Sequence, residues 1–220
     1  MHKVENLSIC ASCGGKCCKN CGCDYFTTDF ASLKTESILR ELESGRISIV
    51  AFLHFHRLKS GKVMCNPILL LRARNINRDV VDLLSFKTTC ASLEDNHCHY
   101  DIFHRPSGGG VLKPSKDGNC HDIVDRNVEL EKWKSFQAPL QRAVKNLTGK
   151  SVDEKLREDI INLVYKILTQ DYNDINPSEV ASVKEMLPIL KEVYPQEFIK
   201  AWDLYKQNQP IVLSKNKPTN

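Results

Sequence analysis

The chain has 220 residues, 41% of them hydrophobic and 26% charged, with a net charge of +4. That composition is ordinary for a soluble globular protein and allows one generous domain or two small ones. The mild positive excess falls short of the dense basic face that phosphate binding needs, so nucleic acid is not an expected partner.

The longest apolar stretches, Ile47–Phe55 and Pro67–Leu71, are too short to span a bilayer, so no membrane is expected either. The opening residues Met1 to Asn6 are polar, with no apolar run after them. No secretory signal is expected and the expected location is cytoplasmic.

In chain order, residues 1–26 read as an irregular Cys/Gly-rich loop that metal bonds would have to hold. Thr35-Glu36-Ser37 opens a short helix with Ile38, Leu39 and Leu42 on one face, and Gly45 is its natural stop. Ile47–Leu58 alternates and is rich in β-branched and aromatic residues, which predicts a strand. Lys59–Lys62 is a turn and Val63–Arg72 a second strand, completing a hairpin. Asn75–Arg78 is a further turn, Val80–Phe86 a third strand, and Cys90–Cys120 a loop centred on Arg105–Gly110.

The character changes after Asp125. Phe136–Leu147 reads as a helix with Ser135 as N-cap and Pro139 in its first turn. Thr148–Lys150 breaks it. Val152–Gln170 carries Leu156, Ile160, Leu163, Val164 and Ile167 at helical spacing. Asn176-Pro177-Ser178-Glu179 has the pattern of a helix start, and that helix must kink or restart near Pro188. Pro195–Gln207 is a last helix anchored by Phe198, Trp202 and Tyr205, and residues 209–220 are a polar, disordered tail.

The expected fold is therefore α+β. An irregular metal-organised cysteine-rich half with a small antiparallel β-sheet, residues 1–126, precedes a helical half, 127–208, packed on it.

The chemistry lies in the cysteines. Six of the ten fall between Cys10 and Cys23, among Gly, Lys, Asn and Ser, a segment from which no hydrophobic core is built. Disulfides are rare in a reducing compartment, so metal ligation is the reading for this cluster. The two-residue spacer between Cys10 and Cys13 lets two sulfurs approach one ion, and Gly14 and Gly15 let the chain fold back. Lys16 and Lys19 flank the thiols and favour the thiolate form that binds metal. Cys17 and Cys18 are adjacent, so in extended chain they point to opposite sides and serve two metal atoms more easily than one. Further ligands should arrive from later loops, where Cys90, Cys98 and Cys120 are candidates and His99 and His121 could complete a coordination sphere. Cys21 and Cys23 are left open. Cys65, inside a predicted strand, reads as a small buried hydrophobe. Thiolate sites suit both zinc and an iron–sulfur cluster, and the sequence leaves both open.

Cys10-x-x-Cys13-Gly-Gly-Lys-Cys17-Cys18 resembles the signature of the CxxCxxCC cysteine-cluster proteins, a zinc- or iron-chelating group that includes the flagellin lysine-N-methylases. One extra residue stands before the Cys-Cys pair here. The second half of that pattern, two cysteines and then Arg-Pro, is matched by Cys90, Cys98 and Arg105-Pro106. Where many members have a cysteine soon afterwards, this chain has Ser107-Gly108-Gly109, and Cys120 is its next thiol. The resemblance implies a ligand set of Cys10, Cys13, Cys17, Cys18, Cys90, Cys98 and Cys120. It also implies one alternative to a plain metal-binding role, a protein lysine N-methylase-like enzyme; a second alternative is a zinc-stabilised module whose helical half contacts another protein.

Other features read as structural. Gly108–Gly110 lacks the flanks of a phosphate loop and reads as a tight turn beside the metal site. Asp29 reads as a helix cap. His54 and His56 share one strand face. Arg72 and Arg74 read as a solvated strand edge.

Truncation at Gln209 should leave the melting temperature almost unchanged, because the tail carries no periodic apolar face. A loss of several degrees would show that Ile211–Leu213 pack against the fold.

Overall fold

The computed structural model describes residues 23–74, 79–85, 90–95, 97–98, 105–114, 120–122, 124–172 and 177–208. The sequence expectations for residues 1–22, for the Asn75–Arg78 turn, for Asn176 and for the tail lie outside the described residues.

The architecture is mixed α+β. A 3-10 turn, Thr27–Asp29, leads into helix α1, Thr35–Glu43, which buries Ile38 and Leu42 and ends where Gly45 takes a positive φ of 69°. Strands β1, Ile47–Arg57, and β2, Val63–Ala73, form the antiparallel hairpin at the centre of the fold. Its tight turn is closed by Leu58 N–H donating to Lys62 O at 2.8 Å, with Gly61 at φ 84°.

Both outer edges of this hairpin are covered, which protects unpaired backbone groups that would otherwise template aggregation. Along β2, Ala73 N–H donates to Cys23 O and Tyr25 N–H to Leu71 O, both at 2.9 Å. One repeat further on, the Gln137 side chain takes over, accepting from Leu69 N–H and donating to Leu69 O, again at 2.9 Å. Pro67 comes next on the same edge, where a missing N–H costs nothing.

Along β1, Ile49 N–H donates to Val80 O, Asp82 N–H to Ile49 O, and Ala51 N–H to Leu83 O. The expected third strand at Val80–Phe86 is reduced to this strip, with one parallel bridge between Ile49 and Val81. It turns away at once, Ser85 N–H bonding back to Asp82 O, so no ladder extends.

The stretch Cys90–Cys120 holds more structure than a loop. A short ladder pairs β3, Leu93–Glu94, with β4, His97–Cys98. A one-turn helix, α2, spans Ser107–Gly110, and β5, Leu112–Pro114, pairs with β6, Cys120–Asp122. These elements are too short to carry a readable period.

Helix α3, Arg126–Lys134, is also absent from the sequence expectations. Its N-cap Asp125 accepts from Asn127 N–H at 2.9 Å, but its only buried residues are Glu129 and Trp133, while Val128 faces solvent. Ser135 is the C-cap of α3 rather than the N-cap of the next helix, α4, Gln137–Thr148, which starts after Phe136. Helix α5, Val152–Thr169, begins with the capping box of Ser151 and Glu154 and buries Leu156, Ile160, Leu163 and Val164.

Helix α6, Pro177–Val193, runs through Pro188 without restarting. Helix α7, Pro195–Asn208, does not use Trp202 as an anchor: that ring is 47% exposed and stacks on Tyr205, while Ala201 and Glu197 are the buried residues. The Glu197 carboxylate is tolerated there because it receives Arg157 from α5 at 2.8 Å.

One apolar core joins Ile49, Leu69 and Leu71 of the hairpin to Leu140, Leu156, Ile160 and Leu190 of the helices. Trp133 seals it against the N-terminal strip, its indole N–H donating to Tyr25 O at 3.2 Å. Among the described residues no helix is long and apolar enough to cross a membrane.

Asp159 fastens α5 to the strip along β1, accepting from Leu83 N–H at 3.3 Å and pairing with Lys155. Burial pushes its carboxyl up to about 6, from an ordinary 3.8, against the opposing pull of Lys155. The folded protein therefore holds this proton more tightly than the unfolded chain. The resulting stability is fully present below about pH 4 and is lost as pH rises through 6. Denaturant titrations of wild type and Asp159→Asn should show it. The stability difference should move against wild type by roughly 2 kcal/mol between pH 4 and pH 7; a pH-independent difference would refute the assignment.

Candidate metal centre

Three of the described thiols are carried by segments that meet at the end of β2, and the backbone explains how. Ala73, the last residue of that strand, holds Cys23 through the bond to its carbonyl. The next residue, Arg74, accepts Ala91 N–H at 2.8 Å, which pins the chain immediately after Cys90. Cys90 O in turn accepts Leu93 N–H at 3.1 Å, and Leu93 is the register partner of Cys98. Residues far apart in sequence are thus anchored to consecutive positions of one strand end.

The electrostatics agree with this placement. Burial pushes the Cys90 thiol up to about 11, a hydrogen bond from the Ser92 backbone pulls the other way, and the neighbouring Cys23 and Cys98 thiols raise it further. Cys90 is buried, while Cys23 and Cys98 are partly exposed. A thiol in this state is neutral at pH 7, and only a cation with a strong preference for sulfur would displace its proton.

The Ser-Gly-Gly-Gly helix α2 closes over Cys23. A Cβ on Gly109 would stand 2.6 Å from Cys23 Sγ, and one on Gly108 would stand 2.3 Å from Asp24 O. Gly108 N–H donates to that same Asp24 carbonyl at 2.9 Å. The expected tight turn is therefore a buried helical turn, and its glycines are required by close approach rather than by φ. Asp29 caps the 3-10 turn by accepting Phe26 N–H at 2.9 Å, and it also receives the Ser107 backbone N–H at 2.9 Å and the Ser107 hydroxyl. Arg72 is not a solvated edge: it pairs with Asp24 at 2.6 Å, and Arg126 reaches the same carboxylate at 3.7 Å and Gly108 O at 2.9 Å.

Of the expected ligands, Cys90 and Cys98 are brought together. Cys120 is described by its backbone, in β6 opposite Pro114, and His121 by its backbone opposite Lys113. Cys10, Cys13, Cys17 and Cys18, together with Cys21 and His99, lie outside the described residues. Cys23, left open by the sequence, joins Cys90 and Cys98. The available signal was the Ser107-Gly108-Gly109-Gly110 run, which needs a backbone to pack against.

Cys65 stands apart, partly buried in β2, where its thiol shares a hydrogen bond with Tyr194 and burial raises its pKa. Among the described residues, no three His, Cys, Asp or Glu side chains are grouped closely enough to hold an ion by themselves.

Beside the Asp24–Phe26 strip opens a cavity of about 350 Å³, with Tyr25, Phe26, Phe52 and Trp133 as its apolar walls and Asp24, Arg72, Arg126 and Glu129 as its charged ones.

Substituting alanine at Gly109 should push Cys23 Sγ out of place, and alanine at Gly108 should break the contact with Asp24 O, where backbone cannot yield. Each should cost about 1–3 kcal/mol in a denaturant titration, as overpacking does. Unchanged stability in both variants would mean that α2 does not close over this strip.

Comparison with protein-family models, with curated proteins and with solved structures returns no match.

Proposed function

We propose that this chain is a metal-binding cysteine-cluster protein, holding zinc or an iron–sulfur centre through thiolates at the end of β2. The observation that carries the reading is the gathering of Cys23, Cys90 and Cys98 from separate segments. Soft sulfur donors suit both groups, and a metal ion would offset the burial that keeps Cys90 protonated. Cys10, Cys13, Cys17, Cys18 and Cys120, the remaining thiols implied by the resemblance to CxxCxxCC proteins, would supply the other ligands. In this arrangement the protein contributes position: β2 fixes the spacing of Cys23 and Cys90, α2 limits water at Cys23, and Asp24 with its two arginines holds the strip rigid.

A second reading, an enzyme such as a lysine N-methylase-like protein, gains support from the cavity beginning one residue from Cys23. It would need an open coordination position facing that cavity. A closed four-thiolate site would instead favour an interaction module.

Anaerobic purification with elemental analysis and a visible spectrum tests the main reading. Brown absorbance with stoichiometric iron and sulfide identifies a cluster; a colourless protein with bound zinc identifies the other. Cys→Ser changes at positions 23, 90 and 98 should each lower bound metal, while Cys65→Ser should leave it intact. Apparent affinity should rise with pH, since ligation releases thiol protons. Protein free of both metals, or metal content untouched by the Cys90 change, would refute the proposal.

A further inference from the structure

The opposite end of the hairpin carries a second set of metal-binding donors, independent of the thiols. His54 and His56 alternate along β1 and project from the same face, with ring centroids 5.9 Å apart and planes inclined by 24°. The register places Met64 of β2 directly opposite His56 and Asn66 opposite His54. Residues paired in this way across antiparallel strands project on one side, with Cβ atoms about 5 Å apart. His54 is exposed, while His56 and Met64 are partly buried. The Nδ1 atom of His56 is buried and has no hydrogen-bond partner among the described residues. A buried polar nitrogen left in that state costs about 1–3 kcal/mol and calls for an explanation.

We infer that His54, His56 and Met64 form a site for monovalent copper. The rings lie stacked and imidazole lone pairs lie in the ring plane, so a turn of the exposed His54 side chain would bring its nitrogen onto one ion with His56. Such an ion would take the lone pair of the His56 nitrogen that has no partner among the described residues. The choice of metal follows from the third donor. Imidazole accepts several first-row ions, but a thioether is soft and selects copper in its monovalent state over zinc or iron. Nine residues of extended chain separate Met64 from Ala73, about 30 Å, so this site and the thiol cluster share no ligand. The hairpin presents a thiolate site at one end and an imidazole–thioether site at the other.

Silver(I), a redox-inert stand-in for monovalent copper, tests this on the full chain with its resident metal in place. Thiols also bind silver, so the readout must be resolved by residue. Protein labelled at the methionine methyl carbons gives separate signals for Met1, Met64 and Met186. The Met64 methyl should shift and saturate while Met186 stays in place. His54→Gln, at an exposed position that cannot threaten the fold, and His56→Gln should each weaken the response at least tenfold. Cys90→Ser should leave it intact even where it abolishes the thiol site, so the two assignments fail separately. A Met64 methyl that stays unmoved at silver concentrations saturating the thiols overturns the inference, as does a wild-type response in both histidine variants.

Discussion

The fold's functional end depends on one short stretch of backbone pairing, residues 23–25 along the outer edge of β2. Two hydrogen bonds of 2.9 Å, Ala73 N–H to Cys23 O and Tyr25 N–H to Leu71 O, set its position. Such bonds are modest individually, about 1 kcal/mol net, but they fix register, and register decides which way every side chain points. The Asp24 carboxylate meets Arg72 and Arg126 on one side of the strip, and Tyr25 O receives the Trp133 indole. A strip with little apolar surface of its own is thereby tied to the hairpin and the helical core together.

The glycine run follows from that constraint. Once Cys23 and Asp24 lie flat against β2, only a backbone without side chains can cover them closely enough for Gly108 N–H to reach Asp24 O. Asp29 then fastens Ser107 at the start of the same turn, so one carboxylate links the 3-10 turn and α2. Cover, strip and strand form three layers of backbone at the place where the thiols gather.

Those layers also shape the acid–base chemistry. Cys90 is itself buried and holds its proton to about pH 11, with Cys23 and Cys98 adding to the effect. Under the proposed metal-binding role, burial that disfavours a thiolate in the free protein would become an asset, since the same low-polarity surroundings would strengthen a metal–sulfur attraction. The helical core behind the hairpin contributes rigidity: Gln137, Trp133 and Asp159 each bond to backbone in or beside the two strands. The far end of the hairpin is tied to the helices separately, by Arg57 to Glu192 of α6 at 3.1 Å and by Cys65 to Tyr194, bonds in which His54 and His56 take no part.

The α+β class, the β1–β2 hairpin and the helices α1, α4, α5 and α7 were legible in the sequence, because each is long enough for its apolar residues to repeat with period 2 or 3.6. So was the concentration of thiols between Cys10 and Cys23, which is counted directly. Elements of two to four residues, such as β3, β4 and α2, carry no period, and α3 buries too few residues to show one. Ser135 precedes one helix and ends another, so capping preference by itself could not choose between them. The meeting of Cys23 with Cys90 and Cys98 was beyond the sequence as well. It depends on which backbone groups at the end of β2 remain unpaired after the hairpin closes, and only the tertiary structure decides which segments fill them.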